Sequence, residues 1–461
     1  MRFRAHPYQV RAMRHIVEHP CCALFLDMGL GKTVVTLTAV QSLIDACEVE
    51  RVLVVAPRTV AEATWAAEAA KWDHLRSLRV AAVLGTERRR LEALARTADV
   101  YVVSRDNFVW LVAHYAGTPP FDMVVLDELT SFKSAKSKRF KAMKVARRTV
   151  RRVVGLTGTP SPNGLLDLWA QMYCIDGGER LGTSLTRYRS TYFTEYRRGN
   201  IPLRCTPRAG ADETIRRRIA DVCLTMRAAD YLELPPLLVH DVRLELPEAV
   251  MTGYRDFERT QVLEFAAAHA GEPAHVLAAS AAGLMNKLGQ YANGAVYDEE
   301  HTAHDIHAEK LERLAEIVEA AQGAGGVLVF YRFRSDAERI LARLKGLRTA
   351  LYEDARQLEA WNAGRLDVLL AHPASTAYGL NMQQGGHYIV WYGLGWNLEQ
   401  YQQANARLYR QGQTCPVVVY HLLAADTVDE RAALALTGKS DSQSALLEGL
   451  KALMEEYGHG T

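Results

Sequence analysis

A glycine-rich loop near the start of the chain carries the residue types that phosphate binding requires. It reads DMGLGKT from Asp27 to Thr33, and it follows a short apolar run and precedes a helical pattern. Glycines let backbone N–H groups approach an anion, a lysine neutralises the β and γ phosphates, and a threonine hydroxyl suits Mg²⁺. The strict phosphate-loop pattern is not met, because Leu26 occupies the position of its first glycine. The expected nucleotide-binding residues are Gly29, Leu30, Gly31, Lys32 and Thr33.

An acidic pair farther along the chain could act on the same phosphates. In FDMVVLDELTSF, four apolar residues lead to Asp127 and Glu128 at the carboxyl end of a predicted strand, where open α/β sheets bind ligands. Asp127 can hold Mg²⁺ through water together with Thr33, while Glu128 can orient or deprotonate the attacking water. An isolated Asp-Glu pair is more often a solvated strand end. After a phosphate loop it indicates ATP hydrolysis, with Lys32 and Glu128 as catalytic candidates.

Alternating apolar runs and helical stretches predict the elements that position these residues. Runs rich in Val, Leu and Ile indicate buried strands, and Ala-, Arg- and Glu-rich segments between them have helical spacing. In the first third these runs are CCALFL, VLVVA, VYVVS, MVVL and VVGL, and in the last third VLVFY, DVLLA, YIVWY and VVVYHLL. This order predicts the α/β class, with two parallel-sheet lobes.

Between the two series, from about Leu165 to Ala308, strand signals become sparse and helical elaborations are expected. We therefore predict a first, ATP-binding lobe over residues 1–235 that includes a helical protrusion at about 165–235. A helical protrusion and hinge follow over 236–308. The second lobe covers 309–461.

Composition narrows the class of protein only in part. The 461 residues are 49% hydrophobic and 23% charged, which is ordinary for a globular protein of two or three domains. The net charge of +2 excludes neither nucleic acid nor a small substrate, since recognition depends on where charge lies. The seven cysteines form no CxxC pair, and no segment approaches the ~20 apolar residues of a membrane span. We expect reduced thiols, no signal peptide, no membrane and a cytoplasmic location.

Further blocks in a fixed order extend the pattern. The series begins with Pro7, Tyr8 and Gln9, then runs through DMGLGKT, VVAPRTVAEATWAAEAAKW, DELTSFKSAKSKRFKA and GLTGTPSPNGLLDLW. It ends with VLVFYRFRSD, STAYGLNMQ and WNLEQYQQANARLYRQGQ. Together these blocks resemble superfamily two nucleic-acid translocases, and within them the Swi/Snf-like double-stranded DNA motors. The resemblance extends from Pro7 to about Glu430 and implies two RecA-like lobes with helical insertions.

The resemblance also implies roles for single residues. Gln9 matches the glutamine that recognises adenine, and Gly379 and Gln403 fall in blocks that contact the nucleotide. Arg407 and Arg410 match arginine fingers, which would reach ATP across an inter-lobe cleft and stabilise charge on the γ-phosphate. Three positions depart from the pattern: Thr130 replaces a histidine, Ala406 an aspartate and Tyr409 a histidine.

A basic run after the acidic pair could hold nucleic acid. From residue 133 to residue 152 there are ten lysines and arginines and no acid, a composition that suits phosphate-backbone contacts. A solvated helix face is the alternative interpretation of such a run. The expected nucleic-acid contacts are Lys133, Lys136, Lys138, Thr159 and Asn381, the last two by resemblance.

The sequence thus predicts a DNA-dependent ATPase that uses ATP and Mg²⁺ to move on double-stranded DNA. Two alternatives stay open: a strand-separating or branch-migrating helicase, which shares this fold and ATP site, and an ATP-switched remodeller of a DNA-bound protein. RNA unwinding is disfavoured, because Leu129 and Thr130 follow the acidic pair instead of Ala-Asp. The compact build resembles phage and bacterial members. A monomer is expected, on duplex, forked or branched DNA, in the bacterial or host cytoplasm, with unknown protein partners.

Overall fold

Two sheets of parallel strands carry the fold, each in its own part of the chain. The computed structural model describes residues 1–158, 164–198, 201–268, 274–376, 380–437 and 453–454. Contacts divide the chain into two units, Met1–Leu232, here called lobe 1, and Glu233–Thr461, here called lobe 2. Each lobe has one large parallel sheet with helices, so the predicted α/β class with two parallel-sheet lobes is confirmed.

Lobe 1 alternates strands and helices through most of its length. Its elements are α1 (Pro7–Glu18), β1 (Cys21–Leu26), α2 (Lys32–Asp45), β2 (Val52–Ala56), α3 (Trp65–Lys71), β3 (Val80–Val83), α4 (Glu87–Ala95), β4 (Val100–Ser104), α5 (Arg105–His114), β5 (Met123–Asp127), α6 (Lys138–Ala146), β6 (Arg152–Thr157), α7 (Leu166–Asp176), α8 (Leu185–Tyr192), β7 (Phe193–Arg198), β8 (Ile201–Pro207), α9 (Ala211–Ile219), β9 (Cys223–Met226) and α10 (Ala228–Tyr231).

The sheet of lobe 1 brings the two phosphate motifs to one edge. Its strand order is β3-β4-β2-β5-β6-β1-β9, and every pairing is parallel. Only β6 separates β1 from β5, and parallel strands end at the same edge of a sheet. The loop after β1 and the acidic pair at the end of β5 therefore lie on the same edge, where ligands of such sheets bind.

Local sequence explains why these elements form. The five residues of β2 and of β4 are all buried, as expected for strands covered on both faces. Ser104 begins α5 by accepting a hydrogen bond from the Asn107 backbone N–H at 3.3 Å, and Ser137 begins α6 in the same way with Phe140 at 3.2 Å. Side-chain caps thus fix both helix starts, that of α5 directly after β4 and that of α6 beyond the 3₁₀ turn that follows β5.

Lobe 2 repeats the arrangement with a six-stranded sheet. Its elements are β10 (Leu237–Leu244), α11 (Glu248–Ala268), α12 (Ala274–Asn293), β11 (Ala295–Tyr297), β12 (Ala303–Asp305), α13 (Glu309–Ala321), β13 (Gly326–Phe330), α14 (Arg334–Arg343), β14 (Thr349–Leu351), α15 (Ala355–Asn362), β15 (Val368–Ala371), α16 (Pro373–Thr376), β16 (Gly386–Trp391), α17 (Leu398–Asn405), β17 (Val417–Ala424) and α18 (Val428–Thr437). The sheet order is β10-β17-β16-β13-β15-β14, all parallel.

Alternate residues of β13 point to two separate cores. Leu328 and Phe330 pack with α12, α17 and α18, whereas Val327 and Val329 pack with α13 and α14. Lys310 of α13 is fully buried and pairs with Asp429 of α18 at 2.5 Å, which connects the two helices. A buried charge is tolerated only when it is paired and hydrogen-bonded, so this contact fixes how the two helices meet.

The stretch from Leu165 to Ala308 is less helical than the sequence predicted. β9 forms an edge of the lobe 1 sheet beside β1, and β10 forms an edge of the lobe 2 sheet beside β17. The interpretation of 236–308 as a helical protrusion and hinge is wrong for β10. β9 is only four residues long, and β10 carries His240, Asp241 and Arg243, since an edge strand exposes much of its surface. Neither strand therefore shows a long apolar run.

The longest helices lie in the same stretch. α11 has 21 residues and α12 has 20. Within the described residues, no helix combines the length and the hydrophobicity that a membrane crossing requires.

Candidate nucleotide site and nucleic-acid interface

The loop between β1 and α2 has the backbone geometry of a phosphate cradle. Gly29 and Gly31 have φ angles of 89° and 77°, in the left-handed region that favours glycine. Gly31 is the N-cap of α2, a helix of 14 residues that begins at Lys32. A helix N-terminus presents free N–H groups and the positive end of the helix dipole, which together bind anions. The loop predicted to bind a nucleotide therefore lies at a helix start suited to phosphate.

Gln9 packs directly against this loop. Its side-chain Nε2 donates to the Leu30 carbonyl at 3.3 Å, and its Oε1 accepts from the His6 backbone N–H at 3.0 Å. A Cβ added at Gly31 would lie 2.8 Å from Gln9 Nε2, so a larger residue would displace this amide and strain the left-handed backbone. The structure thus brings together Gln9 and the loop, which are far apart in sequence. Leu30 itself has a buried side chain, so only its backbone is available to a ligand.

We expect Gly31→Ala to lower the affinity for ATP by at least ~10-fold, because it strains the left-handed backbone and displaces the buried Gln9 amide from the loop. Calorimetric titration with a non-hydrolysable ATP analogue measures the effect. Gly177→Ala is the matched control: its φ is 71°, yet its added Cβ meets nothing within 4 Å. Equal losses in the two variants would contradict the cradle.

Lys32 holds the loop to the end of β1. Its Nζ donates to the Leu26 carbonyl at 2.8 Å. The same end of the sheet carries Gly158 after β6, where an added Cβ would lie 3.5 Å from the Leu26 oxygen and 3.6 Å from Lys32 Nζ. The lysine therefore sits where the ends of β1 and β6 meet.

The acidic pair ends β5 with an unusual backbone. Glu128 has a φ of 54° and a ψ of 68°, a left-handed conformation that non-glycine residues rarely adopt. Such strain concentrates at functional sites, where the surrounding structure enforces it. The turn sends the chain from Asp127, the last residue of β5, into a 3₁₀ turn over Leu129–Phe132. Thr130, which replaces the expected histidine, is buried in this turn.

The electrostatics around Asp127 favour a cation. Burial, together with the neighbouring Glu128 carboxylate, raises the pKa of Asp127 to about 6. A hydrogen bond from Trp65 and the charges of Lys32 and Arg105 act in the opposite direction and lower this pKa. Two adjacent carboxylates in a partly desolvated place are stabilised when a metal ion binds beside them.

The residues present fit ATP and Mg²⁺. The cradle at Gly31, which a Cβ would fill, and the start of α2 suit a polyphosphate. The Thr33 hydroxyl and the Asp127 carboxylate are hard oxygen donors, which Mg²⁺ prefers, and both lie on this edge of the sheet. Mg²⁺ bound there would neutralise charge on the β and γ phosphates.

In lobe 2, the two predicted finger arginines converge on one carbonyl. Arg407 Nη1 and Arg410 Nη1 donate to the Leu380 oxygen at 3.2 Å and 3.0 Å, and Arg407 Nε donates to the Gln403 oxygen at 3.0 Å. Arg407 is only 5% exposed, whereas Arg410 is more accessible. Of the two arginines, Arg410 is the better placed to reach a ligand, and Arg407 anchors the segment after α17.

Two other predicted residues of lobe 2, Gln403 and Asn381, make hydrogen bonds within that lobe. Gln403 is buried on α17 and donates to Glu399 at 3.2 Å. Asn381 follows Leu380, is exposed, and accepts a hydrogen bond from the Asn362 side chain through its carbonyl at 2.8 Å. Gly379 of lobe 2 and Thr159 of lobe 1 lie outside the described residues.

The basic run after the acidic pair divides into two sets. Arg147 donates to the carbonyls of Ile175 and Val150, and buried Arg152 donates to the carbonyl of Ile16. These arginines stabilise lobe 1, so the interpretation of the whole run as one phosphate-binding surface is wrong for them. The exposed members without an ion-pair partner in the described part of the chain are Lys136, Lys138, Lys141, Lys144 and Arg148, of which Lys144 lies over the Tyr173 ring.

Lys133 belongs to neither set. It is half-buried and lies 3.9 Å from Asp167 of α7, at the limit of an ion pair. Its predicted contact with nucleic acid would therefore compete with this carboxylate, and Lys136 and Lys138 are the more accessible candidates.

Three further residues join the site that the sequence did not assign to it. Trp65 donates to Asp127 at 3.1 Å, Arg105 at the start of α5 acts on the same carboxylate, and Asp27 accepts from the Ala228 backbone N–H at 2.9 Å. Trp65 stands in one of the ordered blocks, which was the only signal available. Arg105 follows β4, and only the sheet order brings the end of β4 toward Asp127 at the end of β5. Asp27 begins the predicted loop, but its contact with Ala228 depends on the pairing of β1 with β9.

Comparison with known proteins shows which family this chain is similar to. Residues 8–285 match the family model described as the SNF2-related domain. Protein p41 of Acyrthosiphon pisum secondary endosymbiont phage 1 is 38% identical over 464 residues, which cover 97% of this chain and 99% of the phage protein. The RAD54-like DNA repair and recombination protein of Drosophila mojavensis is 22% identical over 93% of this chain. This chain spans only 60% of that relative's length.

A solved structure is also similar to this chain over most of its length. The Sulfolobus solfataricus SWI2/SNF2 ATPase core, solved in complex with dsDNA, matches 99% of this chain and 97% of its own at 20% identity and a TM-score of 0.46.

Proposed function

Because the chain belongs to the SNF2-related family, we propose that it is an ATP-dependent DNA translocase, a motor that couples ATP hydrolysis to movement along double-stranded DNA. The observation that carries the ATPase part is the cradle at Gly31, closed by Gln9 and placed on the same sheet edge as Asp127 and Glu128. Lobe 1 (Met1–Leu232) is the ATP-binding lobe in this proposal. Lobe 2 supplies the finger arginine.

The proposed roles follow from the chemistry of phosphoryl transfer. The α2 N-terminus and Lys32 bind the phosphates, and Thr33 and Asp127 hold Mg²⁺, which neutralises phosphate charge when bound. Glu128 orients the attacking water and accepts its proton. Arg410 adds positive charge at the γ-phosphate. Since a ligand shifts a conformational equilibrium only by differential contacts, ATP favours the state in which both lobes touch it, and hydrolysis removes that preference.

A DNA substrate is supported by two separate features. The exposed lysines that follow the acidic pair present positive charge without acidic neighbours in sequence. Their side chains suit phosphate contacts that ignore base sequence. The names of the related proteins connect them with DNA repair and recombination, which favours DNA over RNA.

The proposal is tested by measuring ATPase rates with duplex DNA, single-stranded DNA, forked DNA and RNA, beside triplex displacement and fork unwinding. Stimulation by duplex DNA with triplex displacement, and without strand separation, is expected. Unwinding of forks would favour the helicase alternative. Slow turnover that ignores DNA, with no triplex displacement, would contradict translocation and favour an ATP-switched remodeller.

Lys138→Ala is expected to weaken duplex binding about equally for all sequences and to reduce the slope of log K against log salt by ~0.9, the value for one phosphate contact. Fluorescence anisotropy over a range of salt concentrations measures this slope. Arg88→Ala on α4 is the control, because it removes one exposed charge that already pairs with Glu92 at 2.9 Å. An unchanged slope for Lys138→Ala would remove this lysine from the interface.

A further inference from the structure

The position of Trp65 beside the acidic pair is not explained by hydrophobicity alone, and the proposed reaction does not use this residue. It is the first residue of α3, its side chain is fully buried, and a π-helical turn over Val60–Thr64 precedes it. π-helical turns are rare and occur often at functional sites, since the extra residue changes the direction of the side chains that follow. In this chain the turn is followed directly by the residue whose indole reaches Asp127.

The indole N–H binds one oxygen of Asp127. Trp65 Nε1 donates to Asp127 Oδ2 at 3.1 Å, and the Glu128 backbone N–H donates to Asp127 Oδ1 at 3.1 Å. Each carboxylate oxygen thus accepts one N–H, which fixes the rotation of the carboxylate about its last bond. A carboxylate has about four acceptor sites, so the two oxygens keep further lone pairs for water or a cation.

Breaking this hydrogen bond is costly. A buried indole N–H needs an acceptor, because an unpaired N–H has lost its hydrogen bond to water and gained none in return. If the Asp127 carboxylate rotated, both the indole and the Glu128 N–H would lose their partner. Trp65 and Asp127 therefore hold each other in one orientation.

We propose that Trp65 is a positioning residue that orients Asp127 toward the Mg²⁺ of the bound nucleotide. The inference rests on the proposed function, since it presupposes that Asp127 serves Mg²⁺. Residues that hydrogen-bond to a metal ligand typically contribute ~10- to 100-fold to metal affinity, because they orient that ligand. Trp65 acts in this way on Asp127, and it does not touch the substrate.

The test compares Trp65→Phe, which removes the N–H and keeps an aromatic ring, with Trp72→Phe. Trp72 is the matched control, because its indole donates to Glu68 at 2.7 Å at the other end of α3. Two quantities are measured: the Mg²⁺ concentration for half-maximal ATPase activity, and the affinity for a non-hydrolysable ATP analogue by calorimetry with Mg²⁺ and with EDTA.

For Trp65→Phe we expect the half-maximal Mg²⁺ concentration to rise ~10- to 100-fold. The gain in nucleotide affinity that Mg²⁺ provides should shrink, while the affinity in EDTA stays unchanged. Trp72→Phe should alter neither quantity. A lower rate with unchanged Mg²⁺ dependence would mean that Trp65 only fills space, and would overturn the proposal.

Two additional variants make the outcome decisive. If Trp65→Phe does not fold, benzothienylalanine at position 65 keeps the ring shape and lacks only the N–H, and the same shifts are expected. Asp127→Asn distinguishes a failure of the Trp65 proposal from a failure of the proposed role of Asp127. If it changes the Mg²⁺ dependence and the Trp65 variants do not, the Trp65 proposal alone fails; if none of them does, the proposed role of Asp127 fails as well.

Discussion

Replacing Arg410 with alanine is expected to lower kcat by ~10³- to 10⁵-fold while ATP binding is largely kept, because an arginine finger acts on charge that develops in the transition state. Arg410 is the more accessible of the two arginines that share the Leu380 carbonyl. Single-turnover hydrolysis with saturating DNA separates the chemical step from binding. Calorimetry with a non-hydrolysable ATP analogue measures the affinity that should remain.

A matched control for Arg410 lies on the surface of lobe 2. Arg313→Ala removes an exposed arginine of α13 whose ion pair with Glu316 lies at 2.7 Å, and it should leave kcat unchanged. Arg410→Lys keeps the charge but loses the planar fork, so it should recover only part of the rate. An unchanged kcat in Arg410→Ala would refute the finger role.

The second large effect is expected at the acidic pair and the loop. Glu128→Gln should lower kcat by ~10²- to 10⁴-fold, the range for a general base, with nucleotide and DNA binding preserved. Lys32→Ala should abolish turnover as well, and it should also weaken ATP binding, since the lysine acts on the phosphates in the ground state. Initial ATPase rates and anisotropy on labelled duplex DNA measure both variants.

The contrast between these two variants is itself informative. Glu128→Gln keeps the shape of a side chain whose backbone is already strained at a φ of 54°, so it tests the proton-accepting carboxylate alone. Glu62→Gln is a suitable control, because Glu62 is an acid of the same lobe that only pairs with Arg58 at 2.9 Å. Normal ATPase activity in both Glu128→Gln and Lys32→Ala would exclude the assigned site.

The sequence predicts strands correctly where both faces of the strand are buried. Runs such as VLVVA and VYVVS form β2 and β4, since a parallel strand covered on both faces is apolar along most of its length. β9 and β10 were missed, because an edge strand is exposed and can be short or polar. Periodicity therefore identified the sheet centres and not their edges.

The basic run shows the same limit for side chains. Ten lysines and arginines in a segment without acids predict one positively charged surface. In the folded lobe, Arg147 and Arg152 turn inward and donate to backbone carbonyls, while Lys136 and Lys138 remain exposed. Sequence records the charge of a side chain, but only the surrounding backbone decides whether that charge meets a carbonyl or solvent.

The nucleotide loop, the acidic pair, the α/β class and the resemblance to double-stranded DNA motors can all be read from the amino-acid order. Each of these depends on local spacing or on ordered motifs, which a linear chain displays. Three contacts require the folded chain: Gln9 with the loop at Gly31, Trp65 with Asp127, and Lys310 with Asp429. These contacts join residues far apart in sequence, and they exist because parallel strand order and helix packing bring separate segments together.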